Sequence, residues 1–222
     1  MEYQGPEPAD LTNVCALNIA YLDWLRARGN VRAAEVSMTP EMSAALAGMT
    51  RKQLERLSRA PFLLMSFREY DEGQWRSLFA ETPAADLFHA AQGPDEDAAR
   101  LISAGLGFLW QLSKRNPYAA RLVSGANLNW CEQLAERTLV ELLSRAVTEH
   151  RLLEPRMFDN PDLWRKLLNA CVSAKKDVRM AARVSALQTV LTRSDTGSYR
   201  QLAAAACSMP RVAVRVAKRT SR

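Results

Sequence analysis

A series of helical sequence blocks occurs twice along the chain in the same order, and this repeat constrains the fold most. Four blocks of the first half have counterparts 86 to 89 residues later. A gap after Arg28 divides the first pair, YLDWLRARGNVRAAEVSM with FLWQLSKRNPYAARLVSG, into two blocks. The third block pairs ALAGMTRKQLERLSRA with QLAERTLVELLSRA, with two residues dropped, and the fourth pairs QWRSLF with LWRKLL, which places Trp75 opposite Trp164. Four matches in one order indicate a tandem duplication. We predict two related units, residues 11–92 and 93–195, packed as a pseudo-dimer between an N-terminal tail (1–10) and a basic C-terminal segment (196–222).

The apolar residues recur with helical spacing almost throughout. Leu17, Tyr21 and Trp24 follow one helical face, and Thr39 before Pro40 is typical of a helix start. A long helix is expected over residues 95–115, and PFLLMSFREY is expected to form a helix or an extended segment. Because no hairpin signal occurs, we predict an all-α fold.

The length and composition of the chain exclude several classes of protein. The chain of 222 residues can bury a core, and no apolar run approaches the roughly 20 residues that span a bilayer. The acidic start MEYQGPEPAD is not a secretory leader, so we expect a cytoplasmic protein without membrane contact. The four cysteines lie far apart without a C-x-x-C pair and are expected to be buried free thiols: Cys15, Cys131, Cys171 and Cys207.

The charges are divided unevenly along the chain. Residues 1–162 carry 17 Lys and Arg against 22 Asp and Glu, a net charge of −5, whereas residues 163–222 carry 13 against 2, a net charge of +11. No acidic residue follows Asp195. Such a block is typical of a polyanion contact, a solvated tail or a surface for an acidic protein.

Three blocks of the first half follow a known family pattern: LNIAYL at Leu17, MTPEMSAALAGMTRKQLERLSR at Met38 and FLLMSFR at Phe62. They resemble the corresponding blocks of FlhD, the helical subunit of the bacterial flagellar master transcriptional activator. It implies an all-helical, intertwined dimer that joins a zinc-bearing partner, FlhC, binds promoter DNA and recruits RNA polymerase. This chain is longer than that family's pattern, which a fused second copy would explain. Met65 stands where the family has a cysteine, so the family's intersubunit disulfide is not expected here.

The segment from Met38 to Ala60 resembles a helix-turn-helix, with Gly48 at the turn, a small inward residue near Ala44, and Leu54 and Leu57 anchoring the second helix. The basic residues of that second helix are second-choice DNA contacts: Arg51, Lys52 and Arg56. A solvated helix face and a protein-contact face remain alternatives, because Glu55 and the acidic-leaning counterpart TLVELLSR do not suit base readout.

The C-terminal region supplies the first-choice DNA contacts. Its cations recur at helical spacing and could form a stripe facing phosphates: Lys175, Lys176, Arg179, Arg183, Arg211, Arg215, Lys218, Arg219 and Arg222. The alternative is an exposed polar face with a frayed tail. Phosphate contacts of this kind position a protein without selecting sequence.

No motif favours catalysis, a metal or a cofactor. His89 and His150 lie in no nucleophile or metal pattern, and the five tryptophans are expected to be core anchors. We therefore expect a non-enzymatic transcription regulator that binds DNA, with another regulator or an RNA polymerase subunit as partner and self-association as a further option. The alternatives are a helical adaptor or anti-activator that never contacts DNA and, third, a ligand-gated sensor.

Overall fold

A computed structural model describes residues 5–27, 38–80, 96–146, 152–157 and 159–207, and it describes their side chains except those of 145–146 and 193–207. The helices in these ranges are α1 (Pro8–Ala27), α2 (Pro40–Ala47), α3 (Arg51–Ser58), α4 (Glu72–Ala80), α5 (Glu96–Arg115), α6 (Pro117–Ser124), α7 (Leu128–Glu136), α8 (Leu139–Ala146), α9 (Pro161–Val172) and α10 (Lys176–Cys207). Two short strands, β1 (Met65–Ser66) and β2 (Glu154–Pro155), pair antiparallel. The described fold is therefore mostly helical, as the periodicity predicts.

Local capping chemistry fixes several helix starts. The Thr39 side chain accepts a hydrogen bond from the backbone N–H of Met42, with Pro40 at the first helical position. Thr50 and Gln53 form a capping box at the start of α3, and Thr138 and Glu141 make the same pair of contacts at the start of α8. These side chains satisfy N–H groups that have no partner within the helix. The predicted starts at Thr39 and Thr50 are confirmed, and the predicted 95–115 helix begins at Glu96.

The two halves share further features at matching positions. α1 and α5 are both 20 residues long and lie 88 positions apart. Trp75 donates its indole N–H to the carbonyl of Phe67, eight residues earlier, and Trp164 donates to the carbonyl of Arg156, also eight residues earlier. Arg68 and Met157, each one residue further along, both have positive φ, at 54° and 55°. This left-handed backbone is uncommon for residues other than glycine, so its repetition is informative.

Helices of the two halves exchange packing partners. α9 of the second half packs on α2 and α3 of the first half, while α1 packs on α5. Trp75 on α4 meets Trp130 on α7 edge-on, with ring centroids 5.2 Å apart. One continuous core results, and it contains Trp24, Trp75, Trp130 and Trp164 as predicted. Trp110 is only half-buried and donates to the carbonyl of Arg137.

The segment PFLLMSFREY is extended rather than helical, and a buried polar network holds it. Arg156 donates to the carbonyls of Leu63 and Met65 and to the carboxylate of Glu69, at 2.6, 2.7 and 2.9 Å. On the other side, Asn18 donates to the carbonyls of Ser58 and Phe62 and accepts from the N–H of Leu64. These side chains satisfy backbone groups that lack a regular ladder, since β1 and β2 are only two residues long.

Candidate nucleic-acid interface

Four arginines meet where the ends of α3 and α9 approach the start of α10. We call Arg56, Arg59, Arg179 and Arg183 the basic cluster. Arg56, Arg179 and Arg183 line a shallow recess together with the apolar side chains of Leu57, Leu167 and Ala170. The cluster therefore joins residues from the first-choice and second-choice sets, which lie more than 115 positions apart in the sequence.

The arginines of the cluster are positioned by backbone carbonyls at helix ends. Arg56 donates to the carbonyl oxygens of Cys171 and Ser173, at 3.3 and 3.4 Å. Arg179 donates to those of Ser173 and Ala174, both at 2.7 Å. The last carbonyls of a helix lack an intrahelical partner and carry the negative end of the helix dipole, so cations are favoured there.

A third contact ties α10 directly to α3. Arg183 donates to the backbone carbonyl of Arg56 near the end of α3. Each of the three guanidinium groups thus uses some of its five N–H donors in hydrogen bonds to the backbone, which hold it in place. The remaining N–H donors can bind an anion.

Among the described residues, the basic cluster has no ion-pair partner. Within the part of the chain that the structure describes, no carboxylate lies within 4.0 Å of these four guanidinium groups; ion pairs form elsewhere, for example Arg51 with Asp23 at 2.7 Å. Partial burial, followed by the positive charges of Arg179 and Arg59, lowers the pKa of Arg183. The guanidinium remains charged nevertheless, because arginine is not deprotonated in proteins. The cluster therefore concentrates positive charge that an anion would relieve.

Two exposed lysines extend the cluster. Lys175 and Lys176 lie at the start of α10, next to the carbonyls that Arg179 caps. Asp177 follows in the first turn of α10. The lysines project from the surface, whereas Arg179 and Arg183 are half-buried, so the predicted stripe is split into a fixed part and an exposed part.

The helix-turn-helix segment is less accessible for DNA contact than the sequence suggests. α3 lies between α1 and α9, with Leu54 and Leu57 buried as predicted. Arg51 and Lys52 are both exposed, but Arg51 pairs with Asp23 and Glu55, whereas Lys52 takes part in none of the ion pairs among the described residues. The guanidinium of Arg51 is therefore a weaker candidate for base contact than its sequence position indicates.

Two details of that segment refine the sequence interpretation. The small inward residue expected near Ala44 is its neighbour Ser43, whereas Ala44 itself is exposed. Gly48 has φ −78°, a conformation open to any residue, so no glycine-specific turn exists there. α2 and α3 are each only eight residues long, so their contacts with α1 and α9 dominate their placement.

Several predicted residues lie outside the described part of the chain. These are the tail cations Arg211, Arg215, Lys218, Arg219 and Arg222, together with His89 and His150. The side chain of Cys207 is also outside it. Cys131 and Cys171 are buried free thiols as predicted, whereas Cys15 is only half-buried.

Sequence reasoning missed Arg59 and the carbonyl contacts of the cluster. A local signal for the carbonyl contacts exists in the sequence. Arg179 and Arg183 follow closely after the end of α9 at Val172, and cations are favoured near the free carbonyls of a helix end. The contact between Arg183 and Arg56 spans 127 positions and had no such signal.

The comparisons with known proteins identify no family. No protein-family model, curated protein or solved structure matches the chain. None of the described helices is long and apolar enough to cross a membrane. Among the described residues, no group of three or more His, Cys, Asp or Glu side chains could hold a metal ion.

Proposed function

We propose that the chain is a bacterial, cytoplasmic transcription regulator of the FlhD type that binds promoter DNA through the basic cluster, together with a partner such as another regulator or an RNA polymerase subunit. The observation that carries this proposal is the convergence of four arginines without a carboxylate partner among the described residues, flanked by Lys175 and Lys176. Fixed guanidinium groups suit phosphate oxygens, which accept bidentate hydrogen bonds.

The architecture is proposed to be a tandem duplication in which each unit supplies half of a dimer. The matched capping boxes of Thr50 and Thr138, and the matched indole contacts of Trp75 and Trp164, support it. The exchange of α4 and α9 between the halves is what two intertwined subunits would show after fusion. A single chain would then satisfy the dimer interface that the FlhD resemblance implies.

Salt dependence of DNA binding tests the function. If the cations neutralise phosphates, log K should fall linearly with log salt concentration, with a slope of about −0.9 per phosphate neutralised. Replacing Lys175 and Lys176 with glutamine should flatten the slope by about 1–2 units on all duplexes. Replacing the five tail cations, Arg211, Arg215, Lys218, Arg219 and Arg222, should flatten it further.

A charge-matched control separates a local contact from net charge. Arg76 and Arg100 are exposed and lie outside the cluster, so their double glutamine variant removes the same charge. It should leave the slope nearly unchanged. If the wild-type protein shows no salt-dependent binding to its upstream DNA or to random duplex, with or without its partner, the regulator proposal fails.

A second function, that of an adaptor or anti-activator, is favoured by one observation. Val172 and Val178 are 55% and 45% exposed beside Lys175 and Lys176, and apolar side chains are not needed for phosphate contact. An acidic, apolar protein segment would use both features. Pull-downs from lysate with and without nuclease distinguish the two: bound proteins that survive nuclease favour the adaptor, and recovered DNA favours the regulator.

A further inference from the structure

Two arginines of the basic cluster keep unused the side of the guanidinium that best fits an oxyanion. Arg56 and Arg179 donate to backbone carbonyls through Nη1 alone. Among the described residues, the Nε–H and Nη2–H groups of these two arginines donate to no protein atom. Nε–H and Nη2–H form a fork that can bind two oxygens of one anion. Both arginines can therefore bind an oxyanion and keep the contacts that position them.

The surroundings of the recess strengthen such a contact. Arg183 completes the set of three arginines that line it, and it donates to the backbone through Nη2 alone. The rest of the lining is mostly apolar: Leu57, Leu167, Ala170 and Ala182. Hydrogen bonds between charged groups are stronger where apolar side chains lower the local dielectric. Glu55, the acid next to Arg56 in the sequence, pairs with Arg51 at 3.6 Å and not with the cluster.

The size of the recess limits what can enter it. Even with the part that is open to solvent, it has a volume of only about 220 Å³. Pockets that bury a whole organic ligand usually hold roughly 300–1,000 Å³. A charged head group can therefore sit at the mouth of the recess, while the rest of its molecule stays outside.

Charge and oxygen count distinguish between the possible head groups. A phosphate monoester carries a charge of about −1.5 to −2 at pH 7 and three acceptor oxygens. A phosphodiester of the DNA backbone and a carboxylate each carry a single negative charge and two free oxygens. Three guanidinium groups without a carboxylate partner among the described residues match the monoester better than either alternative.

We propose that the recess binds the phosphate monoester group of a small phosphorylated molecule, with Arg56, Arg179 and Arg183 as the residues that hold it. The bound ligand would occupy guanidinium groups that are proposed to contact DNA, so it would release DNA from the basic cluster. This consequence rests on the proposed function, whereas the phosphate site itself does not.

Calorimetric titration of the full chain at constant ionic strength tests the site, with methyl phosphate and dimethyl phosphate as the probes. Methyl phosphate should bind about 10-fold more tightly or better, because the diester lacks one acceptor oxygen and part of the charge. This comparison uses the wild-type protein, so it does not depend on the folding of a variant.

A conservative substitution tests the residues. Arg56→Lys keeps the positive charge and a donor for the backbone carbonyls but loses the fork, so it should weaken methyl phosphate binding by about 10-fold. The matched control is Arg51→Lys, on the same helix, where the guanidinium pairs with Asp23. This control should leave the Kd for methyl phosphate unchanged.

Three results would overturn the phosphate site. They are the absence of methyl phosphate binding, equal binding of the two probes, and equal weakening by Arg51→Lys and Arg56→Lys. Equal binding of the probes would mean that the recess accepts a diester of the DNA type.

Displacement of a labelled duplex by methyl phosphate, again at constant ionic strength, tests the release of DNA. Methyl phosphate should displace the duplex at concentrations where dimethyl phosphate does not, and a duplex that stays bound at saturating methyl phosphate overturns the competition. If the chain binds no duplex at all, the proposed function fails, and the calorimetric titration still decides the phosphate site.

Discussion

Replacing Arg156 with methionine should remove the centre of the contact between the two halves. Its side chain is 7% exposed and Glu69 is 4% exposed, with their charged atoms 2.9 Å apart. Arg156 also donates to the carbonyls of Leu63 and Met65. Methionine keeps much of the side-chain volume but none of these donors.

The expected cost follows from what remains buried after the replacement. Glu69 would keep only the hydroxyl of Ser66 as a described partner, and two carbonyls would lose their donor. Removing one partner of a buried ion pair typically costs about 3–5 kcal/mol, because the other charge is left uncompensated. The free energy of unfolding should fall by that amount, a large part of the usual 5–15 kcal/mol.

Urea unfolding followed by tryptophan fluorescence measures this cost, since Trp164 donates to the carbonyl of Arg156 and should report the change. The control is Arg165→Met, which breaks an exposed pair with Asp162 at 2.7 Å. An exposed pair is worth about 0–1 kcal/mol. The double variant Arg156→Met, Glu69→Leu should cost less than the sum of the single changes, because no lone charge remains.

Two results would refute this reasoning. If Arg156→Met costs no more than Arg165→Met, the buried network contributes little. If the double variant costs the full sum, Arg156 and Glu69 act independently and the ion pair is not the source of the effect.

Three further substitutions test stability. Burial raises the pKa of Glu154, although hydrogen bonds from Tyr70 and Arg68 oppose this. The folded state therefore holds the proton more tightly than the unfolded chain does. The stability that Glu154 contributes should then fall as pH rises from about 4.5 through the raised pKa. The urea midpoint of the Glu154→Gln variant minus that of the wild type should therefore increase from about pH 4 to about pH 7. A difference in midpoint that stays constant over this range would contradict the argument. Gly125 has φ 65°, and an added Cβ would come within 2.2 Å of a Val190 methyl carbon, so Gly125→Ala should lower stability by about 1–3 kcal/mol. Gly48→Ala should be neutral or stabilising by about 0.4–1 kcal/mol, because φ is −78° and an added Cβ would lie 3.6 Å from its nearest neighbour. Equal melting temperatures of the Gly125→Ala and Gly48→Ala variants would count against the steric argument.

The features that sequence predicted well are those with local causes. Thr39 before Pro40, and Thr50 three residues before Gln53, signal helix starts because the contacts span three residues. The long helix ending at Arg115 is visible in its own periodicity. Such signals need no knowledge of the rest of the chain.

The features that sequence missed depend on residues far apart. Asn18 is fully buried, and its amide makes hydrogen bonds with three backbone groups that lie 40 to 46 positions away in the sequence. No local sequence pattern reveals these partners. The spacing of the cations on α10 predicts a stripe facing phosphates, yet Arg183 turns inward to the carbonyl of Arg56. A periodic pattern locates the face of a helix and leaves its partner undetermined.

The cations near the start of α10 fall into two groups that can be tested separately. Arg179 and Arg183 are half-buried and donate to backbone carbonyls at the ends of α9 and α3, whereas Lys175 and Lys176 are exposed beside the basic cluster. Replacing the two lysines should therefore remove charge next to the cluster while the carbonyl contacts that hold its arginines stay in place. A change in DNA binding without a change in the urea midpoint would then report a phosphate contact, because surface substitutions of this kind typically move stability by no more than about 0.5 kcal/mol.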